Sequence, residues 1–367
     1  MFFLFNNYTN MKTKILSLAL ILIFGTQLKA QQPIKINISG YLETYYVYDF
    51  NKPTSNNRPN FIYSHNRHNE VNLNLGFLKA NYSGEMLRGN LALMAGTYTN
   101  ANLAAESGVL KNIFEANIGV KISKTQNIWF DAGIFPSHIG SESAISKDCW
   151  VLTRNIVSEN TPYYEAGAKL SYATANNKFT ATLLYLNGWQ KIMRQDGNSK
   201  PAGGLQLTYK PNSSLTFNYS NYYGTEGVDE VSVHRFYHNF YAIAQLTDVL
   251  GLTAGFDYGT QQKLSGQSDK SEIFAPVLIA QYKFQPKWAV AGRVEFYKDS
   301  DGIIINTGTP NGFSTTGYSI NIDYAPVSNA TFRIEGKTYD SKDQIFIRNN
   351  NAVNYNTSLT ASLALSF

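Results

Sequence analysis

The chain has 367 residues, of which 43% are hydrophobic, only 16% charged and 14% aromatic, with 25 Tyr and 22 Phe. So little charge beside so many tyrosines, without long apolar runs after residue 30, is unusual for a soluble enzyme. The formal charge of +5 includes Lys12, Lys14 and Lys29 in a segment expected to be removed, so it gives no case for nucleic acid. The single cysteine, Cys149, excludes an internal disulfide framework and a Cys-based zinc site.

Lys12 and Lys14 precede the apolar run 15–24, and Gly25-Thr-Gln-Leu-Lys-Ala30 follows it. Charge, apolar core and small residues in that order predict a secretory signal peptide cleaved after Ala30, with residues 1–10 an extension upstream of Met11. Read as a membrane helix, the run falls short of the roughly 20 apolar residues needed to span a bilayer. No Cys follows the cleavage site, so a lipoprotein is not expected. Residues 31–367 then form one exported domain, with no linker or low-complexity tract to divide it.

Alternation with period two dominates this domain. Leu205/Leu207/Tyr209 oppose Gln206/Thr208, Leu215/Phe217/Tyr219 oppose Thr216/Asn218/Ser220, and Tyr318/Ile320/Ile322/Tyr324 oppose Ser319/Asn321/Asp323. The predicted strands are 34–50, 68–82, 88–99, 112–123, 127–137, 163–173, 178–187, 202–210, 214–223, 235–246, 250–260, 271–284, 287–298, 314–325, 328–340 and 354–367, sixteen in all. The last is the clearest. Tyr355, Leu359, Ala361, Leu363, Leu365 and Phe367 share one face, and Asn356, Ser358, Thr360, Ser362, Ala364 and Ser366 the other.

The connections alternate between short ones, such as Lys124-Thr-Gln126 and Gln285-Pro286, and long ones, 51–67, 100–111, 138–162, 188–201, 224–234, 261–270, 299–313 and 341–353. Short periplasmic turns and longer outer loops, with an even strand count, predict an all-β fold: a transmembrane antiparallel up-and-down β-barrel in the outer membrane of a Gram-negative bacterium. Tyr172, Tyr209, Tyr219, Tyr223, Tyr258, Trp288, Tyr318 and Tyr324 fall where an interfacial girdle needs aromatics. A soluble sandwich would not tolerate so many outward apolar faces.

Function must then lie in the lumen. The polar faces carry Glu115 and Lys121, Glu165 and Lys169, Arg293 and Glu295, and Arg333/Glu335/Lys337, read as pairs along their strands. They either line a pore electrostatically or stiffen the wall. His68 and Glu70 are expected to point inward near the outer rim. A metal reading of His65 and His68 is disfavoured, since three-residue spacing on an extended segment puts them on opposite faces.

The longest connection, 138–162, is dense in His138, Glu142, Lys147, Asp148, Trp150, Arg154 and Glu159, and carries its own apolar anchors Ile145, Trp150, Leu152, Ile156 and Val157. It is expected to fold inward and narrow the pore; the alternative is an outer lid. Glu106, Glu115, Asp131, Arg154, Arg293 and Arg333 are the candidate field-setting residues. Ser137, Ser141 and Ser143 near His138 could suggest a hydrolase, but the Gly-x-Ser-x-Gly elbow is absent, and a Ser beside a His in sequence is not a triad. With neither a nucleotide-binding glycine motif nor a paired Cys/His set, no cofactor or metal is expected.

Several stretches carry a resemblance: His65-Asn-Arg-His-Asn-Glu-Val-Asn-Leu-Asn-Leu-Gly-Phe77, Leu91-Ala-Leu-Met-Ala-Gly-Thr-Tyr98, Asn102-Leu-Ala-Ala-Glu106, Ile134-Phe-Pro-Ser-His-Ile-Gly140, Asp148-Cys-Trp150, Pro162-Tyr-Tyr-Glu-Ala-Gly-Ala168 and Leu186-Asn-Gly-Trp189. In these the chain resembles the OmpL-like outer-membrane β-barrel porins of Bacteroidetes, over residues 34 to 367. The resemblance implies an outer-membrane location and a porin-like role, and brings no catalytic or ligand residues with it. The terminal Phe367 likewise resembles the signal read by the outer-membrane assembly machinery.

The resulting expectation is passive diffusion of small hydrophilic solutes through a barrel embedded in outer-membrane lipid. The alternative is a plugged structural or docking barrel at the cell surface. A homo-oligomer is compatible with either, as no outward patch distinguishes a subunit interface from a lipid face.

Overall fold

A computed structural model of the protein describes residues 36–367, and the expected signal peptide lies outside them. In chain order the wall strands are β1 (Ile36–Asp49), β2 (Val71–Ser83), β3 (Leu87–Ala95), β4 (Ile113–Lys121), β5 (Asn127–Pro136), β6 (Tyr164–Ala173), β7 (Phe179–Leu186), β8 (Ala202–Asn212), β9 (Leu215–Glu226), β10 (Val233–Gln245), β11 (Leu250–Gln262), β12 (Lys270–Gln285), β13 (Trp288–Asp299), β14 (Phe313–Val327), β15 (Ala330–Ser341) and β18 (Tyr355–Ser366). These sixteen strands close into one antiparallel barrel, sealed where β18 pairs with β1. A small hairpin, β16 (Phe346–Arg348) and β17 (Asn351–Val353), stands in the connection before β18. Its three-residue strands are too short to register as alternation.

The wall follows the sequence pattern for a physical reason. Lipid offers no partner to backbone N–H and C=O groups, so spanning strands must saturate each other in a closed ladder. Lipid outside and water or protein inside then impose period two. In β18, Tyr355, Leu359, Leu363 and Leu365 are exposed on the outer face, while Asn356, Ser358, Thr360 and Ser362 are buried on the inner. An outward Arg or Lys would cost about 2–4 kcal/mol at the bilayer midplane.

Phe367 completes the seam. Its N–H and carbonyl exchange hydrogen bonds with Gly40 at 3.0 and 2.8 Å, and its ring covers Gly40 so closely that a Cβ there would stand 2.3 Å from it.

Two stretches depart from the extended reading. Residues 97–102 do not continue β3 but form the short helix α1 (Thr97–Asn102), because Gly96, at φ 138°, turns the chain against the Asn74 carbonyl. Residues 65–70 are not extended either: His65 and Asn69 adopt φ of 52° and 58°, and β2 begins at Val71. The opposite-faces argument for His65 and His68 therefore does not apply, and both are buried.

The β5–β6 hairpin leaves the wall at its outer end. Pairing of β4 with β5 reaches Ile134, pairing of β6 with β7 reaches Gly167, and beyond these Phe135 pairs with Glu165 and Pro136 with Tyr164. Gly133 and Gly167 face each other at this departure, with φ of 126° and 154°, and a Cβ on either would stand within 2.2 Å of a neighbouring strand's carbonyl oxygen. Phe135, Tyr164, Glu165 and Ala166 are all buried, so both faces of the tip are covered, unlike a wall strand. The tip carries residues 138–162 into the lumen.

Candidate pore constriction

The loop between β5 and β6 starts against the β6–β9 wall. His138 Nδ1 lies 2.9 Å from Glu165, its Nε2 lies 2.7 Å from the Asn221 carbonyl, and its own carbonyl accepts from Ser220 Oγ at 2.6 Å and Gln206 Nε2 at 3.1 Å. The Gly140 N–H donates to Asn239 of β10 at 3.1 Å. The loop then crosses to the opposite wall. Ser146 Oγ bonds Tyr41, at 2.9 Å, and Glu43 of β1, and the Ser146 and Cys149 carbonyls accept from Arg333 at 2.6 and 3.0 Å. Trp150 packs with Val277 and Ile279 of β12 and fills the space that a side chain at Gly251 would enter.

On its return the loop backbone is held by charge. The Thr153 carbonyl accepts from Arg293 at 2.7 Å and the Arg154 carbonyl from Lys337 at 2.9 Å, while the Thr153 and Ile156 N–H groups donate to Glu335 and Glu295. The same side chains pair across strands: Arg293 with Glu335 at 3.1 Å, Lys337 with Glu295 at 2.9 Å and Arg333 with Asp323 at 2.7 Å. This replaces the expected pairing along each strand, although Arg293 also approaches Glu295 at 3.4 Å. β13 and β15 are not neighbours, but the β14 residues between them, Ser319 in register with Arg293 and Lys337 and Gly317 in register with Glu295, are small enough for the long side chains to meet over them. Likewise Glu115 pairs with Lys79 of β2 at 2.8 Å, over Ala92 of β3 that is in register with both, rather than with Lys121 six residues along its own strand. Glu165 takes His138, and Lys169 lies over the Phe135 ring at 4.5 Å.

The other loop residues are also engaged. Arg154, 1% exposed, donates to the Leu152 and Ala144 carbonyls at 2.7 and 3.0 Å, tying the loop to itself. Glu142 accepts from the Asn155 N–H at 2.6 Å, and Asn155 caps the turn α2 (Ile156–Glu159) by accepting from Ser158 at 2.6 Å. Glu159 accepts from the Tyr63 and Ser64 N–H groups of the first long loop at 3.0 and 3.1 Å. Asp148 is exposed. Leu152, Ile156 and Val157 are buried.

Elsewhere, His68 Nδ1 accepts from the Asp49 N–H at 2.9 Å, and Glu70 pairs with Arg67 at 2.8 Å in a half-exposed position. Glu106 accepts from the Tyr164 hydroxyl at 3.1 Å and the Ile192 N–H at 2.8 Å. Glu43 and Asn239, both loop anchors, escaped the sequence reading. Glu43 had a signal: it is the acid in the inward row Tyr41-Glu43-Tyr45-Val47.

The β2–β6 wall is different. Arg88 Nε reaches Asp131 at 2.6 Å with a third of its side chain exposed, and Lys79 keeps a quarter exposed beside Glu115. Between these pairs, Asn81, Asn90 and Asn117 form an amide ladder at 2.8 and 2.9 Å.

Comparison with solved structures places this architecture among outer-membrane porins. An anion-selective porin from Comamonas acidovorans matches at 11% identity and TM-score 0.59, over 91% of this chain and 99% of that one. The outer-membrane channel DcaP of Acinetobacter baumannii matches at 11% identity and TM-score 0.58, over 93% and 99%. The trimer form of OmpT, an outer-membrane protein of Vibrio cholerae, matches at 11% and 0.58, over 91% and 99%. At such identity the likeness concerns the fold. No curated protein sequence matches. The sequence itself, however, matches the family described as "Putative beta-barrel porin-2, OmpL-like" over residues 35–367, and the chain belongs to that family of outer-membrane β-barrels.

Proposed function

We propose that this porin-family barrel lets small hydrophilic solutes diffuse passively along the β2–β6 side of its lumen, narrowed by the loop of residues 138–162. The observation that carries this reading is the asymmetry of the lumenal charges. Arg293 and Glu335 have side chains 0% exposed and locked to the loop, whereas Arg88 and Lys79 have side chains 34% and 25% exposed on the wall that the loop leaves uncovered. Charges in contact with water act on passing solutes; sealed ones do not. Arg88 and Lys79 are therefore the field-setting residues, each held by a buried carboxylate, Asp131 or Glu115, and Arg154, Arg293 and Arg333 hold the constriction in place.

A channel also suits the chemistry of His138 better than hydrolysis. Both ring nitrogens are committed, Nδ1 to Glu165 and Nε2 to a main-chain carbonyl, which leaves none to activate a serine. Phe367, 62% exposed at the end of β18, is accessible to an assembly receptor.

A second reading, a plugged docking barrel, draws support from the apolar cluster of Phe61, Ile156, Val157, Phe313 and Phe346 within the lumen. Purified protein in planar bilayers separates the two. Discrete conductance steps are expected for a channel, and no current above background would sink it in favour of the plug.

A further inference from the structure

We propose that the solute route carries a tyrosine gate, Tyr98, Tyr163 and Tyr164, with a hydrogen-bonding subsite for a small neutral polar solute directly outside it. The proposal rests on the channel reading above and deepens it. Two cavities lie along the loop of residues 138–162, which lines part of each. The outer one, about 260 Å3, is bordered by Asn102, Glu159, Thr161, Tyr164 and Gln190. The inner one, about 280 Å3, is bordered by Met94, Tyr98, Phe114, Glu115, Tyr163 and Tyr164 on one side and by loop residues 139–145 on the other.

Tyr164 borders both cavities, so the two are separated by little more than this side chain and its neighbours. Tyr98 and Asn102 sit one turn apart on α1, Tyr98 beside the inner cavity and Asn102 beside the outer. The Tyr98 and Tyr163 rings meet edge to face at 5.7 Å, and the Tyr164 hydroxyl is held by Glu106 at 3.1 Å. Tyr98 and Tyr164 are 2% and 5% exposed, so the layer is shut in this structure. Glu115 of the inner cavity pairs with Lys79, and the Asn ladder and Arg88 continue the polar strip along the same wall. The three rings also pack with Leu75 and Leu103. What distinguishes a gate from core is the presence of a cavity on each side.

The subsite follows from Asn102. It is 5% exposed, borders the outer cavity, and neither its amide nitrogen nor its amide oxygen has a hydrogen-bond partner. A buried amide without partners is costly, and a solute offering one donor and one acceptor removes that cost. Gln190 and Thr161 on the same rim extend the set. Hydroxyl-rich solutes of monosaccharide size meet these requirements.

The test uses the full barrel in planar bilayers and in liposomes swollen with glucose. Folding is checked by heat-modifiable migration. Tyr163→Ala and Tyr164→Ala are expected to raise single-channel conductance several-fold. Tyr164→Phe keeps the ring, loses only the Glu106 bond, and is expected to lengthen open events. Tyr297→Ala, an aromatic deletion on the β13 wall, is expected to leave conductance as in wild type. Asn102→Leu is expected to slow glucose swelling several-fold while KCl conductance changes little. Folded tyrosine variants that conduct as wild type, or a Tyr297→Ala opening of equal size, overturn the gate while leaving the channel reading intact. Equal slowing of glucose and KCl, or of neither, by Asn102→Leu overturns the subsite. Absence of current from wild type and all variants sinks the channel reading itself.

Discussion

The β11–β15 wall and the β2–β6 wall carry the same kinds of charged side chain and use them differently. On the first, Arg293, Glu295, Arg333, Glu335 and Lys337 are all 4% exposed or less and spend their donors and acceptors on the loop backbone and on one another. On the second, Lys79 and Arg88 keep part of their side chains in solvent. Residue type inside a barrel therefore does not decide between anchoring a loop and facing a solute; what covers the side chain decides. Burying an ion costs several kcal/mol, and the sealed wall is tolerable only because every member has partners. On the open wall only the carboxylates Asp131 and Glu115 are buried, and water still solvates their cations.

The comparison can be broken most forcefully by deleting residues 141–156. The sealed wall then loses its cover, and single-channel conductance is expected to rise several-fold with altered ion selectivity. Unchanged conductance would mean that the loop does not limit passage. Next in size is the contrast between single arginines. Arg293→Met leaves Glu335 buried without its cation, while Glu295 keeps Lys337, and is expected to cost about 3–5 kcal/mol in urea unfolding. Arg88→Met, a third of whose side chain is already in water, is expected to cost less than Arg293→Met, yet to shift the reversal potential in a salt gradient towards cations. A stability loss as large for Arg88 as for Arg293 would erase the distinction between the walls.

The smallest effect concerns His138, the first residue of the loop. Burial opposes its protonation, but the Glu165 carboxylate and the hydrogen bonds to Glu165 and Asn221 outweigh that, so its pKa is raised above the ordinary imidazole value. Stability from a raised pKa is fully present below the unfolded value and is lost as pH rises through the folded one. Current noise from loop motion is thus expected to grow modestly from acidic to alkaline pH, and His138→Gln to flatten that dependence. A noise profile that rises towards acid would contradict the sign.

The wall was legible because lipid and water impose period two on every spanning strand, and all sixteen were read within a few residues. Helix α1 was not, since Thr97-Tyr-Thr99 reads as a continuing strand and only the φ of Gly96 reveals the turn. The inward fold of 138–162 could be anticipated from its apolar anchors. Its destination could not: which carboxylate meets Thr153 or Ile156 depends on register across β13, β14 and β15, a non-local property. The tyrosine layer was hidden for a similar reason. Tyr98 and Tyr163 lie 65 positions apart in sequence and meet only because Gly133 and Gly167 let the β5–β6 tip leave the wall.

One measurement tests the asymmetry directly. In a Cys149→Ser background, single cysteines at Asn90, on the open wall, and at Thr360 of β18, 1% exposed and in register with Glu335 at the edge of the sealed one, are treated with a small charged methanethiosulfonate during current recording. Rapid modification and a drop in current are expected for Asn90→Cys, and no reaction for Thr360→Cys. Rapid block at Thr360→Cys with Asn90→Cys inert would contradict that asymmetry.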